Sequence, residues 1–452
     1  MTKMKNKYII ALLLLFNCQF SMVSAQRIMT LAECVDAARK KNISAKDAQH
    51  DIQMAREQQK LARTKYFPHL SVSAFHFESS DYLAKYRVLD QDEINQLNAD
   101  MDGDFTVDDF TIGIIKKGTS TGLTLIEPLY TGGRVSNYNK LADLQVNARN
   151  LQRDVTDDQI VMDTEFLYYK TLELHETDKT LAAFEKELEN IHQDAFNAWE
   201  NGIVNKNDVL SVELAQDHLS ALRIRATNGC NLLRRALAKH IGMPDEDIDV
   251  DTTLNKDIIA PELLAVNIQS ALENRSETRL LDLLVEKSVL ERKIAAADMR
   301  PILAVGATAS YSKLASTDWN KRLMGFVTVQ IPLSTFWSER HEYKRKKIEE
   351  QKSLDFRKDK RELISLQIQD AYDNLVSTYK QTQVAQKSIA RAEENMRINR
   401  EHYREGLTTM TVLLDAQRQQ QQAMSQYNSA VSEYLQAKTR YLILTGRRQN
   451  AL

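Results

Sequence analysis

The sequence predicts a mainly α-helical protein with a small β part, built from duplicated long helical hairpins and four strands. Three observations lead to this prediction. Residues 333–446 contain no proline and only two glycines, Gly406 and Gly446, whereas glycine and proline normally punctuate a folded chain. The same punctuation recurs at a fixed spacing in the first half of the chain. Some of the intervening segments alternate apolar with small or polar residues, which is typical of strands.

The longest uninterrupted stretch, residues 333–405, predicts a single helix of about 100 Å at a rise of about 1.5 Å per residue. Gly406 then supplies a turn, and a second helix returns, so that residues 337–446 form one helical hairpin. Apolar residues recur with a period near 3.5 along both arms, as in a coiled coil. Gln417 and Gln420 lie in the same seam, and this polar seam predicts that the hairpin packs against other helices.

Residues 1–25 predict a secretory signal peptide, which leaves residues 26–452 as a single mature protein. Lysines precede an apolar run, and small residues stand at the expected cleavage position. A lipoprotein signal ending at Cys18 is the alternative, but Phe16 and Asn17 are larger than the residues such a site prefers. Removing three lysines and no acidic residue takes the formal net charge from −2 to −5. This mildly acidic balance gives no reason to expect a nucleic-acid partner.

The mature chain keeps two cysteines, Cys34 and Cys230, far apart in predicted helices. An oxidising compartment permits a disulfide between them without requiring one, and we expect two buried thiols. No later segment offers the run of about 18 apolar residues that a transmembrane helix needs. A membrane crossing by this chain would therefore use strands.

The chain is predicted to contain two copies of one unit. Three punctuating residues recur 204 residues later, as Pro128/Pro332, Gly202/Gly406 and Gly242/Gly446. Self-similarity at a fixed spacing indicates an internal duplication. We assign the copies to residues 27–245 and 262–448, and their helical hairpins to residues 133–242 and 337–446.

Each copy is predicted to follow the same order of elements. A first helix, at residues 30–65 or 266–299, leads to a proline and is followed by two strands. Thr30 and Glu33 fit a capping box at the start of the first helix. The proline after the strands, Pro128 in the first copy, suits the first turn of the next helix, where its missing N–H costs nothing.

The four predicted strands cover residues 69–78, 120–127, 302–312 and 322–331. Strands of about 9–11 residues with an apolar outward face are what an outer-membrane barrel uses. A half-buried sheet of a soluble protein has the same alternation. Four strands cannot close or hide their edges in lipid, so a membrane barrel would be shared among chains, and three chains give twelve strands.

The first copy carries the longer connection between its two strands, residues 79–119, which is rich in aspartate. Asp100, Asp102 and Asp104 have the spacing of a calcium loop. Phe105 stands where that loop needs glycine, and we interpret the segment as a solvated outer loop.

No catalytic, cofactor-binding or metal site is predicted, and we expect no enzyme activity. Residues 118–122, Gly-Thr-Ser-Thr-Gly, match the serine nucleophile elbow in letters. That elbow joins a strand to a helix, whereas this segment leads into a strand. No phosphate-binding glycine loop is present, and the nine histidines are scattered.

The order and spacing of these features resemble the TolC family of outer-membrane efflux channels over nearly all of residues 27–448. The resemblance rests on the duplication and on three local motifs, namely Thr30-Leu31-Ala32-Glu33 with Asn42, Gly406-Leu407, and Leu413-Leu414-Asp415-Ala416-Gln417. It implies a homotrimer that shares a twelve-stranded transmembrane β-barrel in the outer membrane of a Gram-negative bacterium. An α-barrel tunnel of twelve helices would reach into the periplasm, where an adaptor protein and an inner-membrane pump are the implied partners.

The resemblance also implies a periplasmic gate near the hairpin turns. Asp208 and Tyr403 match positions whose contacts hold the similar channels closed, but Thr408 stands where one of those contacts has an arginine. Asp415 matches one of two aspartates that ring the narrowest part of the tunnel, and Val412 replaces the other. A trimer would then have one ring of three carboxylates, which concentrates cations in a narrow pore.

The adaptor-contact positions implied by the resemblance are the hairpin turns, Gly202-Ile203 and Gly406-Leu407, although any sharp helix turn favours glycine. The implied function is a passive conduit from the adaptor and pump to the exterior. Drug efflux and protein secretion both fit, because the pump chooses the cargo. A soluble periplasmic coiled-coil adaptor is the alternative, but it predicts a single hairpin with β-rich end domains.

Overall fold

The structure, a computed structural model, describes residues 27–83, 85–101, 106–107, 111–113, 115–253, 258–314, 318–333 and 337–447. The predicted signal peptide and most of the calcium-like motif, including Asp102, Asp104 and Phe105, lie outside these residues. The chain folds into two compact units. The first contains the residues up to Ile52, Arg149–Asp282 and the residues from Arg357, and the second contains Gln53–Ala148 and Leu283–Phe356.

Helices account for most of the described chain, which confirms the predicted fold class. The helices are α1 (Leu31–Lys41), α2 (Ile43–Thr64), α3 (Gln91–Met101), α4 (Arg134–Glu200), α5 (Lys206–His240), α6 (Ile268–Asn274), α7 (Ser276–Ala297), α8 (Glu339–Arg404) and α9 (Met410–Leu444). The strands are β1 (Arg27–Met29), β2 (His69–Glu78), β3 (Lys85–Arg87), β4 (Thr111–Gly113), β5 (Lys117–Tyr130), β6 (Ile248–Val250), β7 (Ile302–Leu314) and β8 (Asn320–Gln330). Within the described ranges, no helix combines the length and apolar character needed to cross a membrane.

Two helical hairpins, α4 with α5 and α8 with α9, share one pattern. Helices α5 and α9 begin and end 204 residues apart, and α4 and α8 also end 204 residues apart. Buried positions recur at the same spacing, as Val209/Leu413, Val212/Ala416, Leu219/Ala423, Cys230/Tyr434 and Leu237/Tyr441. Equivalent positions of the two hairpins therefore face the protein interior. Helix α8 begins at Glu339 rather than at residue 333, because the chain leaves β8 only at Gln330.

The predicted first helix of each copy is broken in two. Helix α1 ends before Asn42, whose Oδ1 accepts a hydrogen bond from the Ser44 amide at 2.8 Å. The Asn42 Nδ2 donates to the backbone oxygen of His240 at 2.8 Å. These side-chain hydrogen bonds to the backbone compete with the bonds of a continuous helix, so the helix is interrupted at Asn42. Arg275 separates the two helices at the equivalent position of the second copy. Asn42 lies 26 residues before Pro68, and Arg275 lies 26 residues before Pro301.

Pro128 does not begin a helix, so the prediction is wrong for this proline. Pro128 lies inside β5 and pairs with Ala304, where the register shifts before Tyr130. A strand irregularity accepts proline because the missing N–H is not needed there. Pro332 lies two residues after the end of β8, and the α-helix α8 begins at Glu339.

The second unit contains an antiparallel sheet with the strand order β2, β5, β7, β8. Its register places apolar side chains in rows on one face, with Leu70 opposite Leu125 and Val305 opposite Val327. This apolar face is exposed, and the side chain of Leu323 is 82% accessible. Among the described residues, the outer strands β2 and β8 each pair on one side only. The part of the chain that the structure describes therefore leaves both edges of the sheet unpaired and its apolar face exposed.

The predicted outer loop contains more structure than its composition indicated. Strands β3 and β4 pair with each other, and α3 buries Ile94 completely. Asp90 accepts hydrogen bonds from the amides of Asp92 and Glu93, while the Glu93 side chain accepts from the Asp90 amide. These reciprocal bonds cap the start of α3. The segment is therefore only partly a solvated loop.

The main core lies in the first unit, around α1, the helical hairpins and the β1–β6 pair. Tyrosine hydroxyls attach the connecting backbone to this core. Tyr168 donates to the oxygens of Met29 and Asp251, and the Tyr434 hydroxyl donates to the oxygen of Ile259 and accepts from its amide. The expected capping box at Thr30 is present. Cys34 and Cys230 are free, buried thiols, as expected, and burial raises both of their pKa values.

Candidate functional site at the hairpin turns

Both hairpins turn through the same backbone motif. Gly202 has φ 71° and Gly406 has φ 73°, a left-handed conformation that L side chains rarely adopt. The amide of the next residue donates five residues back, from Ile203 to Ala198 and from Leu407 to His402, both at 2.8 Å. This pattern is the Schellman motif, in which glycine ends a helix and satisfies its last carbonyls.

The residues after these glycines expose apolar side chains. Ile203 is 76% and Leu407 is 68% accessible. In a Schellman motif this position usually packs against the end of its own helix. By contrast, Met243, the residue after Gly242 at the other end of the first hairpin, is buried in the main core and only 9% accessible. The two turns therefore present uncovered apolar surface.

A second core supports the turns from beneath. It consists of buried residues on all four long helices, with Tyr403 packed against its edge. The Tyr403 hydroxyl is buried and has no hydrogen-bond partner within the described chain. Burial is the main cause that raises the pKa of Tyr403, followed by the charges of Asp208 and Asp194. Asp208 is thus near enough to act on Tyr403 electrostatically, but one chain alone does not form a bond between them.

Asp415 lies on α9, half-buried, with both carboxylate oxygens occupied. Arg418 Nη2 donates to Oδ1 at 2.5 Å, and Gln419 Nε2 donates to Oδ2 at 2.6 Å. The hydrogen bond from Arg418 is the largest cause that lowers the pKa of Asp415. Asp415 is among the predicted site residues and Arg418 is not, although oppositely charged residues three apart on a helix are neighbours that often pair.

Asn395 on α8 connects the two arms of the hairpin at this level. Its Nδ2 donates to Gln419 Oε1 at 3.4 Å, and its Oδ1 accepts from Asn399 Nδ2 at 3.0 Å. Gln417 on α9 is buried, and its Nε2 has no partner among the described residues. The seam is therefore polar, as predicted, and only partly hydrogen-bonded.

Two further contacts between distant parts of the chain were not visible in the sequence. Arg400 on α8 forms an ion pair with Glu187 on α4 and so joins the two hairpins near their turns. Glu165 on α4 is buried and accepts a hydrogen bond from Thr439 on α9. Both contacts join residues more than 200 positions apart, and no local spacing rule relates such partners.

The described residues contain no group of three or more His, Cys, Asp or Glu side chains that could hold a metal ion. Residues 118–122, with the serine-elbow letters, lie inside β5 and pair with β7. They do not form the strand-to-helix turn that exposes a nucleophilic serine. The arrangement at the turns offers polar and apolar contact surfaces rather than a set of reacting groups.

A family model described as outer membrane efflux protein matches residues 267–447. No curated protein matches the sequence. The fold is similar to that of the outer membrane protein VceC from Vibrio cholerae, with 14% identity over 92% of this chain and 96% of that chain and a TM-score of 0.74. It is also similar to the CmeC outer membrane channel of Campylobacter jejuni, with 14% identity, 92% and 86% coverage and a TM-score of 0.74.

A third similar structure is the open state of the MtrE outer membrane channel of Neisseria gonorrhoeae. The identity is 15% over 93% of this chain and 90% of that chain, and the TM-score is 0.71. At such identities the likeness establishes the fold. It covers nearly the full length of each chain, so both hairpins and the four-stranded sheet belong to the shared architecture.

Proposed function

We propose that this chain, which belongs to the outer membrane efflux protein family, is the outer-membrane channel of a tripartite efflux or secretion system. It provides a passive conduit from a periplasmic adaptor and an inner-membrane pump to the exterior. The family match and the shared fold support this function. The chain's two hairpins do not fit the alternative of a soluble coiled-coil adaptor, which predicts a single hairpin.

The four-stranded sheet is the observation that carries the proposal. Its apolar face is exposed, with Val72 and Leu323 among the most accessible side chains. Within the described ranges, its two outer strands pair on one side only, so the backbone donors and acceptors of their outer edges have no strand partner. In lipid such edges cost several kcal/mol per unsatisfied group, so a spanning sheet must close on itself.

Closure requires other copies of the chain, because a membrane barrel of four strands is too small. The outermost strands β2 and β8 of neighbouring copies would pair, and three copies give twelve strands. An even strand number from 8 upward is usual for bacterial outer-membrane barrels. The exposed apolar face would then contact lipid, while the opposite face, with Ser71, Thr124 and Thr308, would line the lumen.

The hairpin turns are the proposed docking site for the adaptor. Ile203 and Leu407 each present an exposed apolar side chain at a rigid, glycine-ended turn. Removing an exposed apolar side chain from water is favourable, and full burial of an Ile or Leu contributes about 1.5–3 kcal/mol. The adaptor would bury these side chains at Gly202-Ile203 and Gly406-Leu407.

The gate of the channel is proposed to lie at Asp208, Tyr403 and Asp415. The buried, unpaired hydroxyl of Tyr403 is a donor that an opposing carboxylate could satisfy when three copies assemble. Thr408 cannot supply the positive charge of an arginine, so the gate would have one ionic contact fewer than the similar channels. Energy for transport would come from the pump, and the pump would choose between drug and protein cargo.

The deciding experiment is the mass of the unheated protein extracted with detergent from the outer-membrane fraction, corrected for bound detergent. We expect three copies of a chain slightly lighter than 51.8 kDa. A monomer recovered from the soluble periplasm would contradict the proposal, because one chain supplies only four strands to the barrel.

A further inference from the structure

We propose that Arg418 neutralises Asp415, so that the narrowest ring of the channel carries three Asp–Arg pairs with no formal net charge. The ring then does not select cations, contrary to what a bare ring of three carboxylates would do. The inference rests on the proposed function, which supplies the trimer and the position of Asp415 in the tunnel. It identifies Arg418 as the residue that determines which charged species pass.

The pair is formed within one helix and needs no neighbouring chain. Arg418 lies one turn after Asp415 on α9, and its guanidinium donates to Oδ1 at 2.5 Å. Residues three apart on a helix are neighbours on its surface. A hydrogen bond between charged groups is roughly twice as strong as one between neutral groups. The arginine therefore accompanies the carboxylate wherever the helix places it.

A network from the other arm of the hairpin fixes the orientation of the carboxylate. Gln419 donates to Oδ2 of Asp415 at 2.6 Å, and it accepts from Asn395 at 3.4 Å. Asn395 accepts in turn from Asn399 at 3.0 Å. With Oδ2 held by this chain of amides, Oδ1 stays directed at Arg418. Gln419 and Asn395 are thus positioning residues for the pair.

Both members of the pair reach solvent. The side chain of Arg418 is 64% accessible and that of Asp415 is 45% accessible. An ion passing Asp415 would therefore meet the guanidinium at least as readily as the carboxylate. Opposite charges at hydrogen-bond distance act as a dipole, whose field decreases faster with distance than that of a single charge.

The first hairpin contains no equivalent pair. At the positions 204 residues earlier, Ser211 replaces Asp415 and Leu214 replaces Arg418. Ser211 instead bonds to the backbone oxygen of Asn207 in its own helix. A trimer therefore contains three pairs rather than six, and substitution at one position changes the whole ring.

The test measures the permeability ratio of K⁺ to Cl⁻ in planar bilayers holding the purified full-length channel, from the reversal potential in a KCl gradient. Arg418→Gln leaves three bare carboxylates, and we expect the ratio to rise roughly 10-fold, the low end of what a focused field produces. Asp415→Asn is expected to shift it toward Cl⁻. The double variant should return close to the wild-type value, and Arg418→Lys should retain it.

Arg345 provides the matched control. It is an exposed arginine of α8 that also holds a carboxylate three residues earlier, Glu342, at 2.5 Å. It lies 61 residues before Gly406 in the sequence, in the first two turns of α8. Arg345→Gln should leave the permeability ratio unchanged, because an exposed charge more than a Debye length, about 10 Å, from the narrowest ring is largely screened by salt.

The outcomes separate the inference from the function on which it rests. If Asp415→Asn shifts the ratio but Arg418→Gln does not, Arg418 does not neutralise the ring and the inference fails while the channel stands. Equal shifts for Arg418→Gln and Arg345→Gln would also overturn it. No conductance from any inserted variant, including the wild type, would overturn the channel function and the inference together.

Discussion

Glu165 on α4 accepts a hydrogen bond from the hydroxyl of Thr439 on α9, and both side chains are buried. The two helices belong to different hairpins, so the bond connects the two halves of the chain. Oε1 of Glu165 has no partner among the described residues. Burial raises the pKa of this carboxyl from 4.5 to about 8, against the smaller lowering effects of Thr439 and Lys438.

This contact predicts that the helical part of the protein loses stability as the pH rises. The folded protein holds a proton on Glu165 up to a pH of about 8, whereas the unfolded chain releases it near 4.5. Between these values the folded state binds more protons, so its stability falls with pH. We expect the protein to be roughly 2–4 kcal/mol less stable at pH 9 than at pH 5 from this group, measured by thermal unfolding in detergent.

The substitution Glu165→Gln should remove this pH dependence, because the amide stays neutral at all pH values and can still accept from Thr439. Glu173→Gln is the control. Glu173 lies on the same helix but is paired with Lys170 at 2.7 Å, so its substitution should leave the decline intact. An equal decline in wild type and Glu165→Gln would show that another group causes it.

The gate proposal predicts that Tyr403→Phe combined with Asp208→Ala raises the conductance of the isolated channel. A hydrogen bond to a charged group contributes about 1.5–3 kcal/mol, so the loss of one per chain should shift the gate roughly 10-fold or more toward the open state. Single-channel recording in planar bilayers measures this directly. Tyr427→Phe, a half-buried tyrosine of the same hairpin, should have no effect, and unchanged conductance in the double variant would refute the gate assignment.

The exposed turn residues predict the strength of adaptor binding. Replacing both Ile203 and Leu407 with serine should weaken binding of the cognate adaptor by at least about 10-fold, since burying one such side chain contributes about 1.5–3 kcal/mol. Leu263→Ser is the matched control, because Leu263 is 79% accessible but lies in the connector outside the hairpin turns. Affinity measured with immobilised channel tests this, and equal losses for both variants would argue against docking at the turns.

The regular parts of the fold were predictable because they depend on local rules. The turns of the hairpins are predicted from the positions of the glycines alone. Gly202 and Gly406 have the positive φ that favours glycine. The alternation of apolar residues at Leu303 and Val305 agrees with the pairing of β7 and β8, in which both residues lie opposite valines. Such signals need no knowledge of what packs against them.

Other features depend on partners that are distant in sequence. Asn42 interrupts its helix and bonds to His240, which is 198 residues away. Pro128 fits within β5 because the pairing of β5 with β7 is irregular just after the Pro128–Ala304 pair. The Tyr403 hydroxyl gave no sign in the sequence that it is buried and unpaired. Arg418 differs from these residues, because it lies only three positions after Asp415 and the pairing can be predicted from the sequence.

Gly306 in β7 provides a test of the sheet itself. A Cβ at this position would overlap Cζ of Phe326 and would lie 2.9 Å from the backbone oxygen of Leu125. The Phe326 ring of β8 thus covers the glycine opposite it, and Gly306→Ala must displace both the ring and a neighbouring strand. We expect a loss of roughly 1–3 kcal/mol, seen as a lower melting temperature of the assembled protein.

Gly122 in the adjacent strand β5 is the control for this substitution. The nearest atom to its Cβ would be 3.6 Å away, which is ordinary contact, so Gly122→Ala should be tolerated. Because both glycines lie in the same sheet on the same face, the two variants differ mainly in the space beside them. If Gly306→Ala melts at the same temperature as Gly122→Ala, the packing of Phe326 over Gly306 does not contribute to the stability of the sheet.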